Sequence, residues 1–219
     1  MFGGLFNMDK PFWRWMSRVP EILILSLCFY LCCIPVVTII PASCALFDAI
    51  SRCVVPDEKG CYTRFFRTFC RELKQGIPLT ILWLVIGFIG LYGDRVLAYN
   101  AENNSTIALL SLLYRLLLIS TVGYLGWLIP LESRYYHGFV RLHINALSFY
   151  FGRLPGTFYM LFMTALVLIV SLAHPYAFFL LAFAPGLIAV MHTPSVEKGF
   201  RKAFPEDYDE AGQLRSPEE

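Results

Sequence analysis

The sequence predicts an all-α polytopic membrane helix bundle of about five transmembrane helices, its first apolar segment broken or re-entrant at Pro35–Pro41. Three observations carry this prediction. Hydrophobic residues make up 57% of the 219 and charged ones only 16%, against about 45–50% and 25% in soluble proteins. Mean hydropathy is +0.58 for a 25.0 kDa chain, more apolar surface than a soluble interior of that size can hide. The apolar residues also fall in runs that approach the roughly 20 residues a helix needs to cross a bilayer core. Soluble enzymes, disordered chains and nucleic-acid-binding domains are disfavoured on these grounds, and the lipid bilayer is the expected partner.

A single membrane domain is expected over residues 1–192. Its first apolar stretch, 22–50, holds only Asp48 as a charge past Glu21 and is interrupted by Pro35 and Pro41. The run continues beyond the length of a signal-peptide core, so it is expected to stay in the mature protein. Two proline-based readings stand side by side: a hairpin that enters and returns, or one kinked helix. Stretches 77–98, 106–131, 156–173 and 175–191 follow, the last two so close that they form a helical hairpin. Between the first two lies RFFRTFCRELK, where Phe65, Phe66, Phe69 and Leu73 share a side among Arg64, Arg67, Arg71 and Lys74. That pattern predicts an amphipathic helix near 63–75, either lying in the interface under anionic headgroups or packed on the protein's own helices. Residues 132–155 read as a mixed loop, and 193–219 as a polar, disordered tail.

Charge placement orients the bundle. Lysines and arginines near segment ends collect on the cytoplasmic side. If 22–50 crosses once, the better orientation places 13 of them inside and 4 outside; if it enters and returns, 16 fall inside and 1 outside. The second count favours the re-entrant form and a cytoplasmic C-terminus. Gly87, Gly90, Gly93, Gly123, Gly126 and Gly186 offer close helix packing. Trp13, Trp15, Trp83 and Trp127 sit near stretch ends, as interfacial anchors do.

Two segments resemble a known family. Leu31, Cys32, Pro35, Thr38, Pro41, Ala42, Ala45 and Leu46 in LCCIPVVTIIPASCAL are similar to the signature of the YesL-type bacterial membrane proteins, domain-of-unknown-function family 624. RFFRTFCRELKQG is similar to that family's Phe-rich basic segment, with Phe66, Phe69, Lys74, Gln75 and Gly76 aligned. Ile40 stands where the family commonly has Gly, which implies a less sharply turned backbone there. The resemblance implies a multi-pass protein of the bacterial cytoplasmic membrane, accessory to carbohydrate uptake. It also implies carbohydrate ABC transporter permease subunits as partners.

Arg115 is the leading candidate side chain of the residues themselves. An arginine within an apolar stretch costs a few kcal/mol or more unless it is paired or hydrated, so it is expected to face the bundle interior. Asp48 and Asp94 are its available partners, with Arg52 competing for Asp48 one turn on. The Arg115–Asp48 pair reads either as an anion contact or as a structural ion pair. No G-x-S-x-G, H-E-x-x-H, Walker A or G-x-G-x-x-G occurs, so no catalytic, cofactor or metal residue is assigned. The seven cysteines have no C-x-x-C spacing, and the four histidines no ligand spacing. The expectation is therefore a non-enzymatic accessory protein, with a small transporter or channel using Pro35–Pro41 and Arg115 as the alternative.

Overall fold

The computed structural model describes residues 11–56, 60–101, 105–135, 138–173 and 177–207. These form α1 (Pro11–Cys32), a 3-10 turn (Val36–Thr38), α2 (Ile39–Ala49), α3 (Cys61–Ala101), α4 (Ser105–Arg134), α5 (Phe139–Gly152), α6 (Leu154–Ala173) and α7 (Ala177–Ala203). A π-helical turn, Ile50–Val54, extends α2. Among the described residues there is no strand. Among the described residues four segments are long and apolar enough to cross a membrane: Val36–Val54, Cys61–Ala101, Ser105–Arg134 and Leu154–Ala173.

α1 and α2 run antiparallel. At one end Thr38 Oγ1 donates to the carbonyls of Cys32 and Pro35, each at 2.5 Å. At the other, Arg18 Nη1 donates to the Val55 carbonyl at 2.7 Å. The break is shorter than the sequence predicts. Pro41 lies in the first turn of α2 rather than in the connection, a position where a missing N–H breaks no intrahelical bond. The arms are correspondingly longer than a hairpin turning over the whole of Pro35–Pro41 allows. Ile40 is helical as well, so no glycine is needed there.

α2 is the centre of the bundle, with Ala42, Cys44, Ala45 and Ala49 fully buried. Pro41 and Gly76 set its distance from α3, for a Cβ on Gly76 would lie 2.5 Å from Pro41 Cγ. Thr80 Oγ1 caps the contact by accepting the Ile40 N–H at 3.2 Å. Gly186 plays the same part for α7 and α1, where a Cβ would lie 2.5 Å from Ser26 Oγ. The outer helices instead carry exposed apolar side chains, among them Phe88, Leu91, Leu117 and Phe162. Such a surface suits lipid and is untenable in water.

Several sequence expectations need correction. The basic amphipathic segment is no separate helix: it is continuous with the next apolar stretch through Pro78, in a 41-residue α3. At 1.5 Å per residue α3 is about 60 Å long, twice a bilayer core of about 30 Å. A straight helix cannot both span and lie flat. Residues 132–155 are mostly helix, as α5, rather than a loop. The polar tail begins later than residue 193, because α7 continues to Ala203 and buries Val196 and Phe200; residues 208–219 lie outside the described residues. Trp127 is no interfacial anchor. It is fully buried and donates its indole N–H to Thr157 Oγ1 at 2.9 Å. Trp83 is partly buried and stacks on His143; the side chains of Trp13 and Trp15 lie outside the described residues.

Candidate functional site: a buried arginine–carboxylate cluster

The charges that matter most to packing gather at one end of the bundle. Asp48, in the last turn of α2, has a side chain only 3% exposed. Helical spacing places Arg52 one turn on, its Nε 3.1 Å from Asp48 Oδ1. The first turns of α3 supply the other partners: Arg64 Nε donates to Asp48 Oδ2 at 3.0 Å, and Thr68 Oγ1 donates to it at 2.8 Å. Both carboxylate oxygens are thus engaged, the condition under which a buried charge is tolerated.

A second layer joins α3 to α4. Arg71 donates through Nε to Glu72 Oε1 at 2.7 Å and through Nη2 to the Ser133 carbonyl at 2.8 Å. Gln75 Nε2 donates to the buried Glu132 at 3.3 Å. The third layer ties α4 to α7: Arg134 pairs with Glu197 and lies over the rings of Phe47 and Phe200, 5.8 and 5.3 Å from their centroids. Four arginines (52, 64, 71 and 134) therefore sit with four carboxylates (48, 72, 132 and 197). The formal charges are equal in number, and the arrangement is a clamp across four helices more than an open ion site. Among the described residues no three His, Cys, Asp or Glu side chains are placed to hold a metal ion.

The predicted Arg115–Asp48 pair is not formed. Arg115 Nε donates to Asp94 Oδ1 at 2.8 Å, with the arginine side chain 52% exposed on the flank of α3 and α4 and not in the bundle interior. Asp94 lies 30 residues beyond Arg64 on one helix, which is about 45 Å. No single arginine reaches both acids. Within the amphipathic segment Arg64 and Arg71 bond to the chain's own groups, although the Arg71 side chain is 58% exposed; Arg67 and Lys74 are exposed as well. Thr38 closes the α1–α2 turn after Pro35, and Pro41, Ala42 and Ala45 form the buried side of α2. Thr68, Glu72, Glu132, Arg134 and Glu197 escaped the sequence reading, which counted Arg134 only as a flanking charge and gave the acids no role. Acids lodged in the basic, predicted-cytoplasmic segments were the available signal.

A cleft of about 380 Å³, open to the bundle's surface beside the exposed Val122 and Leu168, lies between α1, α2, α4, α6 and α7. Its lining is mostly apolar, including Phe29, Leu46, Leu168 and Ile188. His192 faces it and is held by Thr164 Oγ1 at 3.0 Å.

Residues 22–93 match the family model described as Protein of unknown function, DUF624. No curated protein and no solved structure matches the chain. The matched residues hold α2 with half of α1 and most of α3, and so the whole Asp48 layer of the cluster. The two segments that carry the resemblance meet within it, at Pro41 and Gly76. Glu132, Arg134 and Glu197, which close the clamp, come from beyond the matched residues.

Proposed function

We propose that this chain is a non-catalytic, multi-pass protein of the bacterial cytoplasmic membrane that acts beside carbohydrate uptake systems, with ABC transporter permease subunits as its partners. The carbohydrate context comes from the family resemblance. The choice of an accessory over a transporter rests on one observation: the cleft between α1, α2, α4, α6 and α7 is mostly apolar, and neither Arg115 nor Pro35–Pro41 is among its lining residues. A transport path for a polar solute needs polar groups converging at mid-membrane; here the arginines and carboxylates of the clamp gather at one end of the bundle.

In this reading the five apolar stretches enter the bilayer, α1 and α2 go in and return, and the C-terminus is cytoplasmic. The positive-inside asymmetry supports it, since Arg64, Arg71, Arg134 and Arg153 all lie toward the end where α3 begins and α7 finishes. The test is crosslinking and copurification of the tagged full chain from native membranes. Permease subunits are the expected catch, and recovery of no partner overturns the accessory role. Sugar uptake by proteoliposomes holding the chain alone would instead establish the transporter.

A further inference from the structure

A second concave site lies at the junction of α5, α6 and α7, on the same end of the bundle as the clamp but outside it. We infer that it binds a phosphate group. The cavity measures about 810 Å³, and its lining includes Arg153, Lys198 and Lys202 together with Ser148, Ser195 and Tyr159. Arg153 is the corner residue between α5 and α6, with a non-helical backbone (φ −134°, ψ 50°). Lys198 and Lys202 are one turn apart on α7, so one face of that helix carries both. Among the described residues none of the three cations has a carboxylate partner, and the acid beside them, Glu197, is held by Arg134.

Three like charges facing one cavity repel each other, and an anion there relieves the repulsion. The cavity's make-up narrows that anion to a phosphate. A guanidinium matches two phosphate oxygens with a planar fork, and lysine ammoniums add compact charges. Pro155 and Gly156 bring the N-terminus of the 20-residue α6 to the same lining, adding the positive end of its dipole. The hydroxyls of Ser148, Ser195 and Tyr159 supply donors for the remaining oxygens.

Two sources offer that group at this level. α6 is one of the four membrane-length apolar segments, and the cavity lies at its first turns. Phe158 and Phe162, 67% and 63% exposed, continue along α6 away from it. A phospholipid headgroup in the cavity would leave its acyl chains against that surface; a phosphorylated solute would enter from the water.

The test uses the delipidated full chain in a neutral maltoside detergent. Binding is measured for phosphatidylglycerol and for phosphatidylcholine in mixed micelles, and separately for inorganic phosphate and glucose 6-phosphate. Arg153→Gln/Lys198→Gln/Lys202→Gln is expected to weaken binding at least tenfold. The control Arg67→Gln/Lys74→Gln, which removes two exposed cations elsewhere, should change it less than twofold. Should the triple variant lose its chromatographic profile, Lys202→Gln alone carries the test with at least threefold weakening, and Lys198→Arg/Lys202→Arg should retain binding. Response to phosphatidylglycerol alone identifies a lipid headgroup, and response to the soluble phosphates identifies a solute. Response to neither, or equal weakening in the control, overturns the site.

Discussion

α3 meets two acid–arginine sets at places about 45 Å apart, and they are built in opposite ways. Toward its start Arg64 and Thr68 close around Asp48, whose side chain is 3% exposed and whose two oxygens are both engaged. Toward its end Asp94 takes one contact from Arg115, a side chain left 52% exposed. Hydropathy draws the eye to Arg115, because that charge interrupts an apolar run. Packing selects Asp48, which stands at the edge of a run with an arginine one turn away. An apolar neighbourhood in sequence is therefore a poor guide to burial of a charge: 72% of the apolar window of Val36–Val54 is buried in the chain, against 11% for Ser105–Arg134. The first helix is surrounded by protein, and the second offers most of its surface to lipid.

The sharpest way to break this contrast is Asp48→Ala, which leaves Arg52 and Arg64 facing each other without their shared anion. Loss of one partner from a buried pair costs about 3–5 kcal/mol, so the variant should elute as aggregate or unfold far below the parent on heating in detergent. Stability within about 1 kcal/mol of the parent would remove the basis for treating the two sets differently. Gly76→Ala tests the contact that holds the cluster's helices together, since the new Cβ meets Pro41 at 2.5 Å. Overpacking of this kind costs about 1–3 kcal/mol. Combined with Asp48→Asn it should deviate from additivity by about 0.5 kcal/mol or more, because both act on the α2–α3 interface.

Thr68→Val removes one donor to Asp48 while keeping the shape of the side chain. Hydrogen bonds to charged groups contribute about 1.5–3 kcal/mol, so a midpoint drop smaller than that of Asp48→Ala is expected, with Thr68→Ser restoring most of it. The double change Arg115→Leu/Asp94→Asn should do least, altering stability by under about 1 kcal/mol, as for other exposed pairs. A large loss there would mark the flank as a packed interface, as a partner helix seated on it would produce.

Much of the molecule is legible from its residues. The apolar stretches lie where helices form, α6 and α7 pack on each other as the expected helical pair, and Pro35 with Thr38 marks the turn between α1 and α2. The failures are instructive. Residues 132–155 read as a loop because their charges and histidines mask the pattern of Leu142, Ala146 and Phe149, which pack on the bundle from α5. The segment 63–75 reads as an independent interfacial helix because nothing local reveals that α3 continues through Gly76 and Pro78 without a break. Trp127 reads as an anchor because position near a stretch end says nothing about the Thr157 hydroxyl waiting on α6.

Composition and run length alone determined that this is an all-helical chain matched to a bilayer, and the placement of lysines and arginines distinguished one end from the other. These are additive properties: each residue contributes its own transfer free energy or charge wherever its neighbours are. The pairing of Asp48 with Arg64, of Arg134 with Glu197 and of Pro41 with Gly76 was decided only in three dimensions. An ion pair or a close packing contact depends on two positions arriving within a few ångströms of each other from separate helices. That arrival is set by helix lengths and crossing points, which belong to the folded bundle and to no single stretch of its sequence.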